Sequence, residues 1–490
     1  MKIKSIKINA FLNALNTVLT ISFSLITFPY VSRILGVINF GKFNYSNSIA
    51  SYFILLAGLG INTYAIREGG RLRGHRKELA VFCNQIFTFS FVMALLTYTI
   101  LAVFLMSWKK GNDYKILIAI LSIPTISNWI GVNWINIIFD DYLFITIRSI
   151  IVQVISIVCL FIFVHTPNDY ITYSIIFVAS SLIVSVINYC YILQFTRVRF
   201  TKKFDLRKHI KPILVLFSNN LAVTVYVNSD STMLGLMKGD YDVGIYSVAV
   251  KIYTAIKTIL AAIYNVAIVR MAQYSAEDNE KCLSQLLNKI INMIIFIATP
   301  MSFGLCCCSS EVISLLSGQE YVNGSSALDI LAFAFSFAIL GGAIANCVAV
   351  PLKREGSVLI ATSIGAVENI ILNLYLIPKY SYIGAAITTL LAEFTVSIIL
   401  IFRLRDKWAL FNWKELIINS VRCIAGSCTF LIIKHLVSAI ITNRILYIIL
   451  MVLFCGACYC ATELFLHNRF LFEIINPVLI RFKRKRGGLG

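Results

Sequence analysis

The chain has 490 residues, of which 59% are hydrophobic and 13% charged, and its formal net charge is +20. Soluble globular chains carry about 25% charged residues, so this composition excludes a protein with a large soluble domain. In a soluble protein the net charge would indicate nucleic-acid binding. Here an excess of Lys and Arg in cytoplasmic loops accounts for it, and no nucleic-acid partner is expected.

Apolar runs recur from one end of the sequence to the other, each long enough to cross ~30 Å of hydrocarbon. They predict an all-α polytopic membrane protein with about fourteen transmembrane helices, embedded in the phospholipid bilayer. The predicted spans are 8–32, 44–66, 80–106, 115–139, 144–164, 170–195, 212–236, 243–269, 285–308, 326–351, 356–377, 382–402, 415–440 and 445–467. The first run is too long for a signal peptide and is interpreted as a retained span.

Basic residues alternate between the connections. The N-terminus carries Lys2, Lys4 and Lys7, and every second connection after it is again basic. These connections are “REGGRLRGHRK”, “RVRFTKKFDLRKHIK”, “KRE”, “RLRDK” and the C-terminal “RFKRKRGG”. Because cytoplasmic loops are enriched in Lys and Arg, this alternation predicts an even number of spans with both termini in the cytoplasm.

Two segments about 200 residues apart resemble each other. “GKFNYSNSIASY” begins at Gly41 and is followed 26 residues later by Arg67, and “GIYSVAVKIYTA” begins at Gly244 and is followed 26 residues later by Arg270. The offset covers six predicted spans, so both copies enter the membrane in the same orientation. Such parallel repeats are typical of secondary transporters, which place a substrate pathway between two bundles. We expect a six-helix lobe over 1–200, a second over 201–407, and two additional helices with a basic cytoplasmic tail over 408–490.

The eighth span contains two lysines. Lys257 lies ~20 Å from the outer end of the span at 1.5 Å per residue, near the midplane, where it must face a wet cavity or a carboxylate. Lys251 lies ~10 Å from that end, so either a snorkelling side chain or a cavity wall explains it. The two are about 120° apart around the helix, so they need not share a contact.

Several other charges lie within spans or near their ends. Asp230 lies at the depth of Lys251, and Glu368 and Glu393 lie near the middle of spans eleven and twelve, which makes these three acids candidates for coupling or gating. Arginines near span ends are individually best explained as interfacial anchors. As a set, they and the lysines predict a cationic cavity that suits an anionic, phosphate-bearing substrate. The arginines are Arg33, Arg67, Arg148 and Arg270.

The thirteen cysteines are scattered through apolar segments and indicate small buried residues. No disulfide framework, metal site, cofactor or catalytic residue is predicted.

Six strings resemble Wzx-type oligosaccharide-lipid flippases, in the polysaccharide-transporter branch of the multidrug/oligosaccharidyl-lipid/polysaccharide exporter superfamily. They run in order from about residue 10 to 400. The strings are “ITFPYVSRILG” with “FGKFNYSNSIASYF”, “LAGLGINTYAIREGG”, “NWINIIFDDYLFITIRS”, “DSTMLGLMKGDYDVGIYSVAVKIY” and “IPKYSYIGAAITTLLAEF”. Relatives commonly have a Phe-Gln-Gly-type motif where this chain has “IIFDDY”.

The resemblance implies two six-helix lobes plus two helices, with alternating access around a central cavity. It implies transport of undecaprenyl-diphosphate-linked oligosaccharide repeat units for O-antigen or capsule across the bacterial inner membrane. An ion gradient (H⁺ or Na⁺) or the membrane potential would drive transport, and the polymerase and chain-length regulator of the pathway would be partners. Lys257, with Lys251, would meet the diphosphate or acidic sugars. Such a lysine could also pair with a carboxylate and release it when substrate or ion arrives.

Three alternatives remain open. A multidrug exporter of the same superfamily would favour an anionic cavity if it handled organic cations. A polytopic polysaccharide polymerase or ligase needs catalytic groups in a sizeable external loop, and the connections here are short. An exporter of lipid-linked teichoic or related anionic polymers would use the same attraction between a cationic cavity and an anionic substrate as the flippase.

Overall fold

The computed structural model describes residues 6–196, 198–201, 206–441, 443–468 and 470–471. Within these ranges the chain forms fifteen α-helices and no strand. In chain order they are α1 (Ile6–Gly58), α2 (Ile61–Arg71), α3 (Arg76–Ser107), α4 (Asn112–Leu121), α5 (Pro124–Gly131), α6 (Asn133–Ile138), α7 (Tyr142–Phe163), α8 (Tyr170–Leu193), α9 (Leu206–Met237), α10 (Asp240–Ala276), α11 (Glu280–Ser317), α12 (Ser325–Ile344), α13 (Glu355–Arg403), α14 (Trp413–Ile440) and α15 (Arg444–Phe465).

Twelve helices of the described chain are long and apolar enough to cross a membrane, so the molecule is an all-α multi-pass membrane protein. They accommodate the fourteen predicted spans because two of them are long enough for two crossings each. One runs over Leu15–Arg71 with 57 residues, and the other is α13 with 49. At 1.5 Å per residue even α13 is ~74 Å long, more than twice the thickness of the hydrocarbon layer.

The helices α1 and α13 each contain one residue with non-helical backbone angles, at the place where hydropathy predicts a connection. In α1 this is Gly36 (φ 67°, ψ 173°), a conformation open to glycine because it has no Cβ. In α13 it is Ser381 (φ 51°, ψ −130°), three residues after Pro378. The predicted connections at 33–43 and 378–381 are therefore single breaks in a helix rather than loops.

The fourth predicted span is divided. Hydropathy predicts one span over 115–139, whereas the structure has α4, α5 and α6 in its place. Pro124 begins α5, and Val132, between α5 and α6, has a left-handed backbone (φ 36°). Hydropathy carries no information about such backbone breaks, which explains the difference.

The chain forms two compact units, Met1–Ser247 and Val248–Gly490. In the first, α1 packs against α3, α4, α7 and α9. In the second, α11 and α13 both pack along α12, and α14 and α15 pack against α11. The lobes at 1–200 and 201–407, with two additional helices over 408–490, were predicted from the internal repeat. The division into compact units rests on contacts and does not test those bounds, so they stay a prediction.

In each unit, polar contacts join connections that were predicted to lie on the same side of the membrane. In the first unit, Arg73 contacts Asp140 at 2.6 Å on the side predicted to be cytoplasmic. On the side predicted to be external, the Tyr114 hydroxyl donates to Asp240 Oδ2 at 2.5 Å. Each of these contacts joins two connections that are predicted to lie on one side of the membrane, and the topology itself stays a prediction.

The second unit has a matching cluster on its predicted cytoplasmic side. The Arg354 guanidinium donates to both carboxylate oxygens of Asp406 at 2.6 and 2.5 Å, and Lys407 pairs with Glu280 at 2.7 Å. The hydrogen bonds from Arg354 lower the pKa of the Asp406 carboxyl. These ion pairs tie together the connections before α11, before α13 and before α14.

Gly41 and Gly244, which begin the two similar sequence segments, pack against each other. A Cβ at Gly41 would lie 1.8 Å from the carbonyl oxygen of Asp240 and 2.8 Å from the nitrogen of Gly244. A Cβ at Gly244 would lie 2.1 Å from the carbonyl oxygen of Val37. The beginning of α10 and the part of α1 after Gly36 thus touch backbone to backbone, which only glycine permits.

Candidate functional site

Lys257 of α10 forms an ion pair with Glu393 of α13. Its Nζ donates to Glu393 Oε1 at 2.8 Å, and the Tyr253 hydroxyl donates to the same oxygen at 2.9 Å. Lys257 Nζ also donates to the Tyr253 hydroxyl at 3.3 Å and lies 5.4 Å from the centre of its ring. Tyr253 and Lys257 share this contact because residues four apart lie on one face of a helix.

The two charged partners differ in exposure. The Lys257 side chain keeps 32% of its surface exposed, whereas the Glu393 side chain keeps 9%. Removing one partner of a buried ion pair leaves an uncompensated charge, which typically costs 3–5 kcal/mol. The pair therefore places the carboxylate of Glu393 beside its counter-ion in a buried position, and Lys257 is the more exposed of the two partners.

Lys251 and Asp230 have different surroundings. Lys251 is exposed on α10 and lies six positions before Lys257. Asp230 of α9 is buried, and its Oδ2 accepts a hydrogen bond of 2.5 Å from the Tyr246 hydroxyl. Because Asp230 and Lys251 belong to different compact units, their predicted ion pair stays a prediction.

Arg148 of α7 is buried, with 4% of its surface exposed. Its Nη2 donates to Asn133 Oδ1 at 3.0 Å, and its guanidinium lies 5.4 Å from the centre of the Phe144 ring. Its Nε and Nη1 find no hydrogen-bond partner among the described residues. An arginine this deeply buried is not an interfacial anchor, so that simpler explanation does not apply to it.

The remaining predicted residues lie at the surface of the helices. Arg33, Arg67 and Arg270 are exposed, and Arg67 Nε lies 3.3 Å from Glu68 Oε1. Glu368 is half-buried in α13 and lies with Ile364 in an open, largely apolar depression. Of the nine predicted site residues, the structure places Lys257 and Glu393 in direct contact with each other, and the roles of all nine stay predictions.

The family described as “Polysaccharide biosynthesis protein” matches residues 6–275. The chain belongs to this family. A relative in Escherichia coli K12, named “Putative O-antigen transporter”, is 23% identical over 389 residues, which cover 78% of this chain and 92% of the relative. The “Probable low-salt glycan biosynthesis flippase Agl15” of Haloferax volcanii is 25% identical over 175 residues, 35% of this chain and 36% of that protein. These relatives are named as a transporter and a flippase, not as enzymes.

Solved structures give the fold of this polysaccharide biosynthesis family member. It is similar to the lipid II flippase MurJ in an inward closed conformation, with a TM-score of 0.67, 17% identity, and coverage of 93% of this chain and 100% of that one. An inward-facing multidrug resistance MATE family transporter of the MOP superfamily is also similar, with a TM-score of 0.58, 17% identity, and coverage of 79% of this chain and 98% of that one. The chain therefore shares its all-helical fold with these two solved structures.

Sequence reasoning on this family member missed three groups. Tyr253 could have been found from its four-residue spacing to Lys257, and Tyr246 from its place in the repeat. Glu463, a lone acid in the last apolar span, has no exposed surface. Its Oε2 accepts a 2.5 Å hydrogen bond from Asn468 Nδ2, while Oε1 has no partner among the described residues.

An apolar cleft of about 480 Å³ lies between α10, α11, α14 and α15 in the second compact unit. Its walls are almost entirely hydrocarbon and include Ile256, Pro300, Phe430 and Met451. Ile256 directly precedes Lys257 in α10, so one helix contributes both to this cleft and to the ion pair.

Proposed function

We propose that the chain is a flippase for undecaprenyl-diphosphate-linked oligosaccharide repeat units, the precursors of O-antigen or capsule. It carries them from the cytoplasmic to the periplasmic leaflet of the bacterial inner membrane by alternating access through a cationic central cavity. Family membership, the names of the relatives and the twelve membrane-crossing helices support this proposal. An ion gradient, of H⁺ or Na⁺, or the membrane potential drives transport.

The observation that carries the proposal is Lys257, a lysine with about a third of its side chain exposed in the middle of a spanning helix. A cation within a span is costly and marks a substrate or ion pathway by default. Its partner Glu393 is nearly buried, whereas about a third of the Lys257 side chain is exposed, and we propose that a phosphate binds there. Lys251, Arg33, Arg67, Arg148 and Arg270 add to the positive charge that attracts such a substrate.

The apolar cleft is the site we propose for the prenyl tail of the substrate. A flippase must hold a charged headgroup and a hydrocarbon chain at once, because the two parts favour opposite surroundings. The cleft is lined by hydrocarbon and adjoins Lys257 through α10. The headgroup would then lie at the lysine while the tail stays in apolar surroundings.

Complementation of a flippase-deletion strain tests this function. Lys257→Ala should abolish surface polysaccharide at normal protein levels, and Lys257→Arg should retain part of it because the charge survives although the geometry differs. Lys281→Ala, an exposed lysine at the start of α11, is the matched control and should behave as wild type.

A double variant separates binding from folding. Lys257→Ala alone leaves the Glu393 carboxylate buried without its counter-ion, which could lower stability. Lys257→Ala with Glu393→Gln removes both charges, and it should still fail to export if Lys257 binds substrate. Normal export by the double variant would contradict that role. Drug resistance conferred by the wild-type chain, without accumulation of a lipid-linked saccharide in the deletion strain, would favour the multidrug exporter.

A further inference from the structure

A polar pocket of about 290 Å³ lies between α11, α14 and the segment that follows α15. Two cations, Lys414 and Arg422, line it together with Asn292. Lys414, Ile418 and Arg422 follow one another at intervals of four residues, so they lie on one face of α14. The volume is close to the lower end of the ~300–1,000 Å³ that small-molecule sites occupy. The pocket therefore has room for one small headgroup.

Several hydrogen-bond donors of this pocket have no partner among the described residues. Lys414 is exposed and forms neither a hydrogen bond nor an ion pair with them. Arg422 is half-buried and donates from Nη1 to the carbonyl oxygen of His467 at 3.1 Å, which leaves its other N–H groups without a described acceptor. Asn292 is 5% exposed, and its two oxygens accept from Asn419 while its Nδ2 has no described acceptor. These donors suit a ligand that brings negative charge and acceptor oxygens.

Hydrogen bonds between buried side chains hold the floor of the pocket in place. Asn468 Nδ2 donates to Asn419 Oδ1 at 2.8 Å and to Glu463 Oε2 at 2.5 Å, and all three side chains are buried. Among the described residues that line the pocket, Glu415 is the one acid, and its Oε2 accepts from Asn412 Nδ2 at 2.7 Å. Because two cations line the pocket and one acid does, the charge of its walls is positive.

Aromatic and aliphatic side chains indicate that the pocket lies at the boundary between membrane and water. Trp413 begins α14, and its ring centre lies 5.0 Å from that of Phe411 and 6.0 Å from that of Trp408. Tryptophan is enriched at this boundary. Further along α14, Ile417 and Val421 keep 60% and 61% of their surface exposed, as expected of side chains that face hydrocarbon. A ligand of the pocket therefore has water on one side and acyl chains on the other.

We propose that this pocket binds the phosphate of an anionic phospholipid from the leaflet predicted to be cytoplasmic, with the acyl chains along the exposed apolar face of α14. Lys414 and Arg422 bind the phosphate oxygens, and Asn292 Nδ2 donates to one of them. Basic pockets between transmembrane helices are a recurrent kind of site for anionic headgroups. The bound lipid joins α11, α14 and the segment after α15 and so stabilises this end of the second compact unit. Lys257 does not line the pocket, and the inference does not depend on which lipid the chain transports.

Thermal unfolding of the purified full chain in a neutral detergent tests this site. Added dioleoylphosphatidylglycerol should raise the Tm until the site is saturated, whereas dioleoylphosphatidylcholine, which has the same acyl chains but no net charge, should have little effect. The lipid concentration at half-maximal effect gives the apparent affinity, so a variant that is merely less stable still reports its binding.

Three variants complete the design. Lys414→Gln and Arg422→Gln should each weaken the apparent affinity about tenfold, because a hydrogen bond to a charged group contributes roughly one decade of binding. Lys414 has no described partner, so its replacement should leave folding unchanged. Lys281→Gln changes an exposed lysine at the start of α11, outside the pocket, and should behave as wild type.

Four results would overturn the inference. An unchanged half-maximal concentration in both pocket variants would place the phosphatidylglycerol elsewhere on the chain. Equal stabilisation by phosphatidylcholine would show that the charge of the headgroup is not recognised. Inorganic phosphate that stabilises wild type at the same concentration would make the ligand a soluble anion. Farnesyl diphosphate that acts at a lower concentration than phosphatidylglycerol, and loses its effect in Lys414→Gln, would make the pocket a loading site for a diphosphate substrate. The flippase proposal is tested at Lys257 and stands or falls separately.

Discussion

A methyl group at Gly244 should destabilise the contact between the beginning of α10 and α1. The added Cβ would lie 2.1 Å from the carbonyl oxygen of Val37, and ordinary contact begins at 3.4 Å, so the backbones must separate by about 1.3 Å. Overpacking of this kind costs ~1–3 kcal/mol. Replacing Gly by Ala in a helix returns up to ~1 kcal/mol through helix propensity. The net expectation is a loss of up to ~2 kcal/mol.

Thermal unfolding in detergent, followed by fluorescence-detected size exclusion, measures this effect. Gly304→Ala is the matched control, because its Cβ would meet nothing closer than Phe430 at 4.0 Å while gaining the same helix propensity. The Tm of Gly244→Ala should fall below that of wild type, and the Tm of Gly304→Ala should not. If Gly244→Ala unfolds at or above the temperature of Gly304→Ala, the two helices do not pack backbone to backbone.

Three further predictions concern charge and topology. Because Arg354 lowers the pKa of Asp406 in the folded protein, this carboxyl stabilises the fold above the ordinary aspartate pKa, and the stabilisation is lost as pH falls through the lowered value. Tm measured against pH should accordingly fall less steeply on acidification in Asp406→Asn, and identical profiles would count against the ion pair. If Asp230 and Lys251 interact, surface polysaccharide should suffer more in Asp230→Asn or Lys251→Met than in the double variant, whereas additive losses would show independence. Reporter fusions should indicate cytoplasm after residues 75, 205, 280, 354, 408 and 485 and the exterior near 111, 240, 320 and 380, and one inversion that persists along the chain would reveal a miscounted span.

Hydropathy predicts the spanning segments well because membrane insertion depends on composition over about twenty residues. It does not predict backbone continuity. The polar residues between the first two spans remain helical, with one break at Gly36, and the fourth span is divided at Pro124 and Val132. Local backbone geometry decides these features, and average composition does not record it.

The sequence predicts which residues belong to the candidate site, but it does not predict which of them form an ion pair. A lysine near the midplane requires a carboxylate or water, which singled out Lys257 and three acids. Choosing Glu393 requires knowing that the fold brings it within hydrogen-bond distance of Lys257, a residue 136 positions away in the sequence. For Arg148 the sequence misleads. Its position near the end of a span predicts an interfacial anchor, but the packing of the helices buries it. Burial depends on neighbouring helices, so the sequence of one helix does not determine it.

The most direct test of the proposed function is translocation itself. Purified wild-type chain and the Lys257→Ala variant are reconstituted at equal density into liposomes that contain a fluorescent undecaprenyl-diphosphate-linked saccharide. A membrane-impermeant quencher then reports how much of the lipid has crossed the bilayer. The account predicts rapid translocation by wild type and a rate near that of empty liposomes for Lys257→Ala. Equal translocation by both proteins, or none by wild type in the presence of an ion gradient and a membrane potential, would contradict it.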